Sequence, residues 1–377
     1  MNILIAPDSY KDALSARDAA AAISQGVKRG LPNAHCRECP MGDGGEGTLD
    51  ALLAATGAER KTLKVHDALG RMRNASWGWL AAHRTAFIEL AEASGLQHLA
   101  QDERTALHST TLGVGELILA ALDAGAKRLL LTLGGSATND AGAGMLAALG
   151  AKLQDAHGRE LPPDGVSLAQ LETLDLSGLD PRLADIDVET AVDVDNPLLG
   201  DHGASAIFGP QKGASMADVE RLDAALGHFA QLAARQLGEN HSQRPGAGAA
   251  GGMGFAASAF LNARLRPGIE LVMDQVGFDT LLDDADLVIT GEGQLDGQSL
   301  AGKTPIGIAR KAAQHSIPTV VLAGRLGTGW PAAYDHGVTA AFALADGPIS
   351  LQDALDRCSQ LLSERSESLI RLLAAYA

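Results

Sequence analysis

Five short segments of this chain gather glycine, carboxylate, lysine and hydroxyl residues where apolar runs give way to helix-like sequence. Ligands of open α/β sheets bind beyond the carboxyl ends of the strands, so these are the places where chemistry is expected. The first is Ala6-Pro7-Asp8-Ser9-Tyr10-Lys11-Asp12. Ser9 and Lys11 there could hold a phosphate or a carboxylate with the help of a helix N-terminus, or the segment is a solvated turn. The second is Pro40-Met41-Gly42-Asp43-Gly44-Gly45-Glu46-Gly47-Thr48, in which four glycines around two carboxylates let backbone approach a ligand or Mg²⁺. The third, Leu133-Gly134-Gly135-Ser136-Ala137-Thr138-Asn139-Asp140, continues into Ala141-Gly142-Ala143-Gly144; its backbone N–H groups could cradle phosphates.

The fourth pairs Val192-Asp193-Val194-Asp195-Asn196-Pro197-Leu198 with Gly209-Pro210-Gln211-Lys212-Gly213. Two aspartates ending a strand suit metal or hydroxyl binding; an Asx-turn before Pro197 is the structural alternative. The fifth, residues 290–304, contains Gly297-x-x-x-x-Gly302-Lys303-Thr304, a literal P-loop match. Its context is imperfect. Six residues, 291–296, separate it from the expected strand end at Thr290, and the next strand ends in Gly324-Arg325 with no Walker-B aspartate. The match reads as coincidence, though Lys303 is expected to meet an anion. The eleven histidines form no H-E-x-x-H pattern, no G-x-S-x-G elbow occurs, and no G-x-G-x-x-G follows the first strand. Cys36 and Cys39 form a C-x-x-C, but no second pair completes a zinc site and the segment reads as a plain strand.

The elements that must position these residues alternate at both ends of the chain. Residues 2–6 read as a strand, Ser15-x-x-Asp18 as the cap of a helix reaching Arg29 and stopped by Gly30, residues 35–40 as a strand and 45–56 as a helix closed by Gly57. Residues 286–290 and 318–323 read as strands, a helix begins at Pro305, and a long amphipathic helix starts near Leu351. The middle differs: short strands within 61–90, a helix at 111–124, a strand at 128–133, a polar loop-rich stretch at 155–187 and a glycine run at 246–252. A βαβ grammar at both ends predicts one discontinuous domain, 1–60 plus 283–377, with 61–282 inserted.

Composition bounds the partners. The 377 residues carry 30 Lys and Arg against 46 Asp and Glu, a net charge of −16, which disfavours nucleic acid. An anionic substrate then needs local lysines such as Lys11, Lys212 and Lys303. Glycine is frequent, at 44 residues, and aromatics are only 3%, so the core is expected to be aliphatic and alanine-rich. No stretch reaches the roughly 20 apolar residues of a membrane span, and Met1-Asn2-Ile3-Leu4-Ile5 begins a strand rather than a signal peptide, so a cytoplasmic protein is expected.

Together the five segments, in this order and with the glycine run 246–254, resemble the type-1 glycerate kinases of bacteria over essentially the whole chain. Tyr10 and Asp12-Ala13 stand where that family commonly has Phe and Gly-Ser, Gly42 replaces a frequent Ala, and Val192 a usual Cys. The resemblance implies two α/β domains, one with a Rossmann- or flavodoxin-like parallel sheet built from both chain ends and the other an inserted mixed α/β domain, with the active site in the cleft between them. It implies ATP-dependent phosphorylation of D-glycerate, usually at the 2-hydroxyl, with 3-phosphoglycerate the alternative product. A P-loop kinase using 297–304 and a non-catalytic nucleotide-binding module are the competing readings. Phosphoryl transfer rests on positioning and charge neutralisation. Within the implied reaction Asp43, Asp193 and Glu292 are the candidates for Mg²⁺. Lys11 and Ser9 are candidates for the glycerate anion or the transferred phosphate, with Asp8, Asn196 and Lys212 as further substrate contacts. Asp193 is expected to take or orient the hydroxyl proton. Gly134, Gly135, Ser136, Thr138 and Asn139, with Gly291 and Lys303, are the candidates for the nucleotide.

Overall fold

A computed structural model describes residues 1–375. In chain order its strands are β1 (Asn2–Ile5), β2 (His35–Glu38), β3 (Glu59–His66), β4 (Met72–Leu80), β5 (Thr85–Glu89), β6 (Arg128–Thr132) and β7 (Lys152–Gln154). They continue with β8 (Thr173–Asp175), β9 (Asp187–Ala191), β10 (Arg264–Arg266), β11 (Leu287–Leu295), β12 (Thr319–Leu326) and β13 (Ala340–Ala343). The chain divides into two compact units.

The first unit comprises Met1–Asp43, Asp50–Gly57 and everything described from Pro267 onward. Its sheet has the order β13-β12-β11-β1-β2, and every pairing is parallel. Strands from both ends of the chain therefore share one sheet. Alternate residues feed two cores, as a strand buried on both faces requires. Ile3, Ile5, Leu287, Ile289, Val320 and Leu322 join one, under the helices Ala16–Gly30 and Cys358–Ala374. Val321 and Ala323 join the other, with Ile306 and Ala309 of the helix Thr304–Gln314.

Four expectations shift in this unit. The C-terminal segment starts at Pro267, not 283, because Ile269, Leu271 and Val272 of the helix Gly268–Val276 are buried and Ile269 lies against Gly307. Strand β11 runs five residues beyond Thr290. The C-terminal helix is broken at Arg357 into Leu351–Asp356 and Cys358–Ala374. Ser15 caps Ala16–Gly30 as its spacing suggested, accepting from the Asp18 N–H at 3.1 Å, but Gly30 is the last helical residue rather than a left-handed stop. Gly30 and Gly26 instead let this helix approach Cys358–Ala374: a methyl on Gly26 would stand 2.0 Å from the Ser363 carbonyl oxygen, and one on Gly30 2.3 Å from Ile370.

The second unit comprises Gly44–Leu49 and Ala58–Arg266. Its six-stranded sheet has the order β10-β9-β6-β5-β4-β3. β10, β9, β6 and β5 are parallel, and β4 and β3 add antiparallel to one edge, so the sheet is mixed. A separate pair, β7 and β8, lies within the polar stretch. The core is aliphatic and alanine-rich, with an aromatic knot of Phe229, Phe255 and Phe260 and a Trp77–Trp79 pair. Among the described residues no helix is long and apolar enough to cross a membrane.

Alanine is the better helix former by about 1 kcal/mol, yet Gly26→Ala should destabilise the protein by about 2 kcal/mol, because overpacking outweighs propensity. Urea unfolding measures it; an unchanged or raised midpoint would mean the two helices separate at no cost.

Candidate active site

In the first unit the functional groups follow the carboxyl ends of adjacent parallel strands. Asp8 comes after β1, Asp43 after β2, and Glu292 sits in the part of β11 that extends beyond the β1 pairing. Asp8 accepts from the Ser9 N–H at 2.6 Å and the Thr304 hydroxyl at 2.5 Å. Its carboxyl is pushed up to about 7, first by burial and then by the charge of Asp43, with Glu292 adding to it. Glu292 accepts from the Ser299 hydroxyl at 2.6 Å. It too is pushed up to about 7, mainly by burial, with Asp43 and Asp296 raising it and Lys303 opposing. This is an under-compensated group of hard oxygen donors, which suits a hard cation such as Mg²⁺ held by one or two carboxylates and a ligand's phosphates. Among the described residues no three His, Cys, Asp or Glu side chains form a metal cage of their own.

The surrounding turn is built to hold Asp8. The Tyr10 hydroxyl donates to the Leu322 carbonyl at 2.5 Å, tying the loop after β1 to β12, and Tyr10 and Leu14 close a tight turn. Lys11 and Asp12 are exposed at its tip. Asp12 has φ +62, a left-handed conformation that glycine adopts freely and aspartate tolerates. Gly291 leaves the space that Tyr10 fills, since a methyl there would stand 2.0 Å from the Leu322 oxygen and 2.1 Å from the Tyr10 hydroxyl. Its glycine identity is explained by this packing. Lys303 is exposed at the N-cap of Thr304–Gln314.

In the second unit, loop 134–140 follows β6, and Asp193 follows the neighbouring parallel strand β9. Asp193 is exposed; Asn196 is held within the same loop by donating to the His202 carbonyl at 2.8 Å. Gly134 packs against Gly44 and Gly45, and its N–H donates to the Gly44 carbonyl. The Gly47 and Leu49 N–H groups, at the start of the helix Thr48–Thr56, donate to the buried Glu89 carboxylate at 3.1 and 2.8 Å. Thr138, Asn139 and Asp140 are wholly buried and turn their side chains inward. Asn139 Nδ2 donates to the Ser205 hydroxyl, while Asn139 Oδ1 and Thr138 Oγ1 have no partner. Asp140 accepts from the Thr111 N–H and hydroxyl and from the Gly142 and Gly144 N–H groups; burial raises its carboxyl and these bonds oppose the rise. Lys212 is buried as well, donating to the Ser136 hydroxyl at 2.8 Å and the Thr138 carbonyl at 2.7 Å.

The two phosphate-loop candidates differ in their free amides. In segment 297–303 the N–H of Gly297 donates to Thr328, those of Gln298 and Ser299 to Asp296, and those of Gly302 and Lys303 to Ser299. Thr304, the hydroxyl that a P-loop would aim at a metal, is bonded to Asp8. Gly297 follows β11 by only two residues, so the expected six-residue gap is absent, yet five N–H groups of the segment are already bonded within the protein. In loop 134–140 the amides of the exposed Gly135, at φ +72, and of Ser136 have no acceptor among the described residues.

Sequence reasoning missed Thr304, Ser299, Tyr10 and Asp140. Asp140 lay inside a quoted motif, and only its four donors reveal it as an anchor. The glycine run went unassigned; it braces loop 134–140. Gly251, at φ +67, leaves no room for a methyl against the Thr138 carbonyl, and its own carbonyl receives the Ala141 N–H. Cys36 and Cys39 are free thiols; burial pushes both up, Cys39 to about 12, so neither is a ready thiolate.

Ionisable groups beyond the carboxyl ends of parallel strands, with a glycine loop presenting free amides, define an α/β enzyme acting on anionic small molecules. The sequence pattern of the Glycerate kinase family matches residues 3–374. A glycerate kinase of Bacillus subtilis (strain 168) is 46% identical over 369 residues, 98% of this chain and 97% of its own. A glycerate 2-kinase of Escherichia coli (strain K12) is 47% identical over 375 residues, 99% of this chain and 98% of its own. A crystal structure assigned as glycerate kinase 2 of Salmonella typhimurium LT2 has a TM-score of 0.90 at 45% identity, covering 100% of this chain and 98% of that one. The chain belongs to the glycerate kinase family.

The acidic group predicts a pH-dependent stability. Glu292 keeps its proton up to about 7 in the folded protein against an ordinary 4.5. Its favourable contribution is therefore present below 4.5 and lost as pH climbs through 7. Glu292→Gln cannot ionise and retains an acceptor for Ser299. It should melt at nearly the wild-type temperature at pH 5 and roughly 3–6 °C higher at pH 8. Thermal scans at both pH values check this; an equal offset at each would refute it.

Proposed function

We propose that the protein transfers the γ-phosphoryl group of ATP to the 2-hydroxyl of D-glycerate, giving 2-phosphoglycerate and ADP. Family membership over nearly the whole chain supports the reaction. The structural observation that carries the assignment of parts is the pair of unspent amides at Gly135 and Ser136, against the five N–H groups already bonded in 297–303. It favours loop 134–140 for the nucleotide phosphates and disfavours a P-loop mechanism.

The residues divide the work as follows. Gly135 and Ser136 offer their N–H groups to the phosphates, Gly134, whose own N–H is bonded to Gly44, shapes the loop, and Thr138 and Asn139 act from beneath as loop supports. Asp43 and Glu292 would hold Mg²⁺ with Asp8 beside them; the ion, when bound, neutralises phosphate charge. Lys11 and Ser9 meet the glycerate carboxylate or the transferred phosphate, and Lys303 lends positive charge beside Glu292. Asp193 accepts the proton of the attacking hydroxyl as its oxygen bonds to the γ-phosphorus and the bond to ADP breaks.

Asp193→Asn should lower kcat at least about a hundredfold, with little change in KM for ATP, because a lost base or orienting group typically costs ~10²–10⁴. Steady-state kinetics decide it; a near-normal kcat would remove Asp193 from the chemistry. Regiochemistry has its own test. Protein, D-glycerate, ATP, Mg²⁺ and enolase should produce phosphoenolpyruvate absorbance without added mutase. Absorbance that appears only with mutase would identify a 3-kinase. No turnover with either would end the kinase reading.

A further inference from the structure

Lys212 ends the 3-10 turn Pro210–Lys212, which follows the short helix Ala204–Phe208. The turn is clamped from both sides. The Lys212 N–H donates to the Gly209 carbonyl, and Gly213, at φ +91, lies so close to Arg104 that a methyl there would stand 2.3 Å from its carbonyl oxygen. The side chain is 1% exposed, and its ammonium makes no ion pair among the described residues. It spends two N–H groups on Ser136 and Thr138. An ammonium buried without a counter-ion is costly. Asp140, the carboxylate whose charge favours its protonation, is already taken by Thr111, Gly142 and Gly144.

An anion arriving at the Gly135 and Ser136 amides would supply the missing negative charge. Ser136 is the link, because its hydroxyl accepts from Lys212 while its backbone N–H is one of the free donors. Resting on the kinase reading above, we propose that Lys212 is a positioning residue of the phosphate loop. Its ammonium holds Ser136 and Thr138 from beneath, sets the amides for a nucleotide phosphate and adds long-range positive charge to that site, without touching glycerate.

This reading makes nucleotide affinity depend on pH. Burial pushes Lys212 down to about 7, with Asp140 opposing. The charged group acting on it is Asp140 in the loop; the nearby Arg104 guanidinium donates to the Gln211 carbonyl at 3.5 Å. Below 7 the lysine carries its charge and above 7 it loses it, so the site weakens for ATP as pH rises.

The test is steady-state kinetics of the full chain from pH 6.5 to 8.5, with ATP and glycerate varied separately. Wild type should show KM for ATP rising with pH and KM for glycerate nearly flat. Lys212→Met should raise KM for ATP at least about tenfold at pH 6.5, abolish its pH slope and leave KM for glycerate within about twofold. Lys212→Arg, charged throughout, should bind ATP better than Lys212→Met and show no slope. A Lys212→Met effect on glycerate alone, an unchanged KM for ATP, or a slope that survives the substitution would overturn the proposal. If Lys212→Met does not fold, Ser136→Ala serves: it removes the hydroxyl acceptor only and should raise KM for ATP several-fold, and an unchanged value refutes the role. Wild-type protein that turns over ATP and glycerate while these variants behave normally sinks this inference and leaves the kinase reading standing; wild type without turnover sinks the reading itself.

Discussion

Parallel pairing of β1 with β11, Ile3 to Leu287, Leu4 to Val288 and Ile5 to Ile289, is the contact on which the first unit depends. It joins the two ends of the chain in one sheet and sends their following loops off the same edge. Asp8, Asp43 and Glu292 can then feel one another's charge. The helices that cover this pairing can do so only because Gly26 and Gly30 carry no side chain where the C-terminal helix presses on them. A steric demand far from the chemistry thus sets the frame that holds three carboxylates together.

The second unit solves a different problem, how to keep a loop of small residues in one shape. Loop 134–140 has few side chains large enough to pack, so it is held by polar anchors and close backbone contact. Lys212 grips Ser136 and Thr138, Asp140 gathers four donors, and Gly251 lets backbone meet backbone. Each anchor is buried, where a hydrogen bond is strong and an unmet one is costly. Gly251 and Gly252 of the glycine run belong to this scaffold.

Both units place charge where burial opposes it. Carboxylates pushed up to about 7 and a lysine pushed down to about 7 are less stable than exposed groups would be. Residues selected for stability alone would not be so arranged, and perturbed groups of this kind concentrate where ligands bring the opposite charge. Phosphoryl transfer is a reaction of that kind, since its substrates bring anions and a cation to groups whose charge burial opposes.

Local order by itself determined the alternation of strand and helix at both ends, the Ser15 cap, and the motifs that mark the family, because these depend on periodicity, capping chemistry and short spacing. It also made Asp8, Asp43, Glu292, Ser136 and Lys212 stand out as residue types. What it could not determine was which amides remain free. Residues 297–304 and 134–140 are both phosphate-loop candidates as strings; only the fold spends five N–H groups of the first on Asp296, Ser299 and Thr328 and leaves those of Gly135 and Ser136 without an acceptor in the second. The same holds for Lys212, a candidate substrate contact by sequence and a buried support of the loop by structure. The partners of Lys212 and its burial come from residues distant in sequence, and even the local bonds of 297–303 depend on a turn geometry that a one-dimensional pattern does not record.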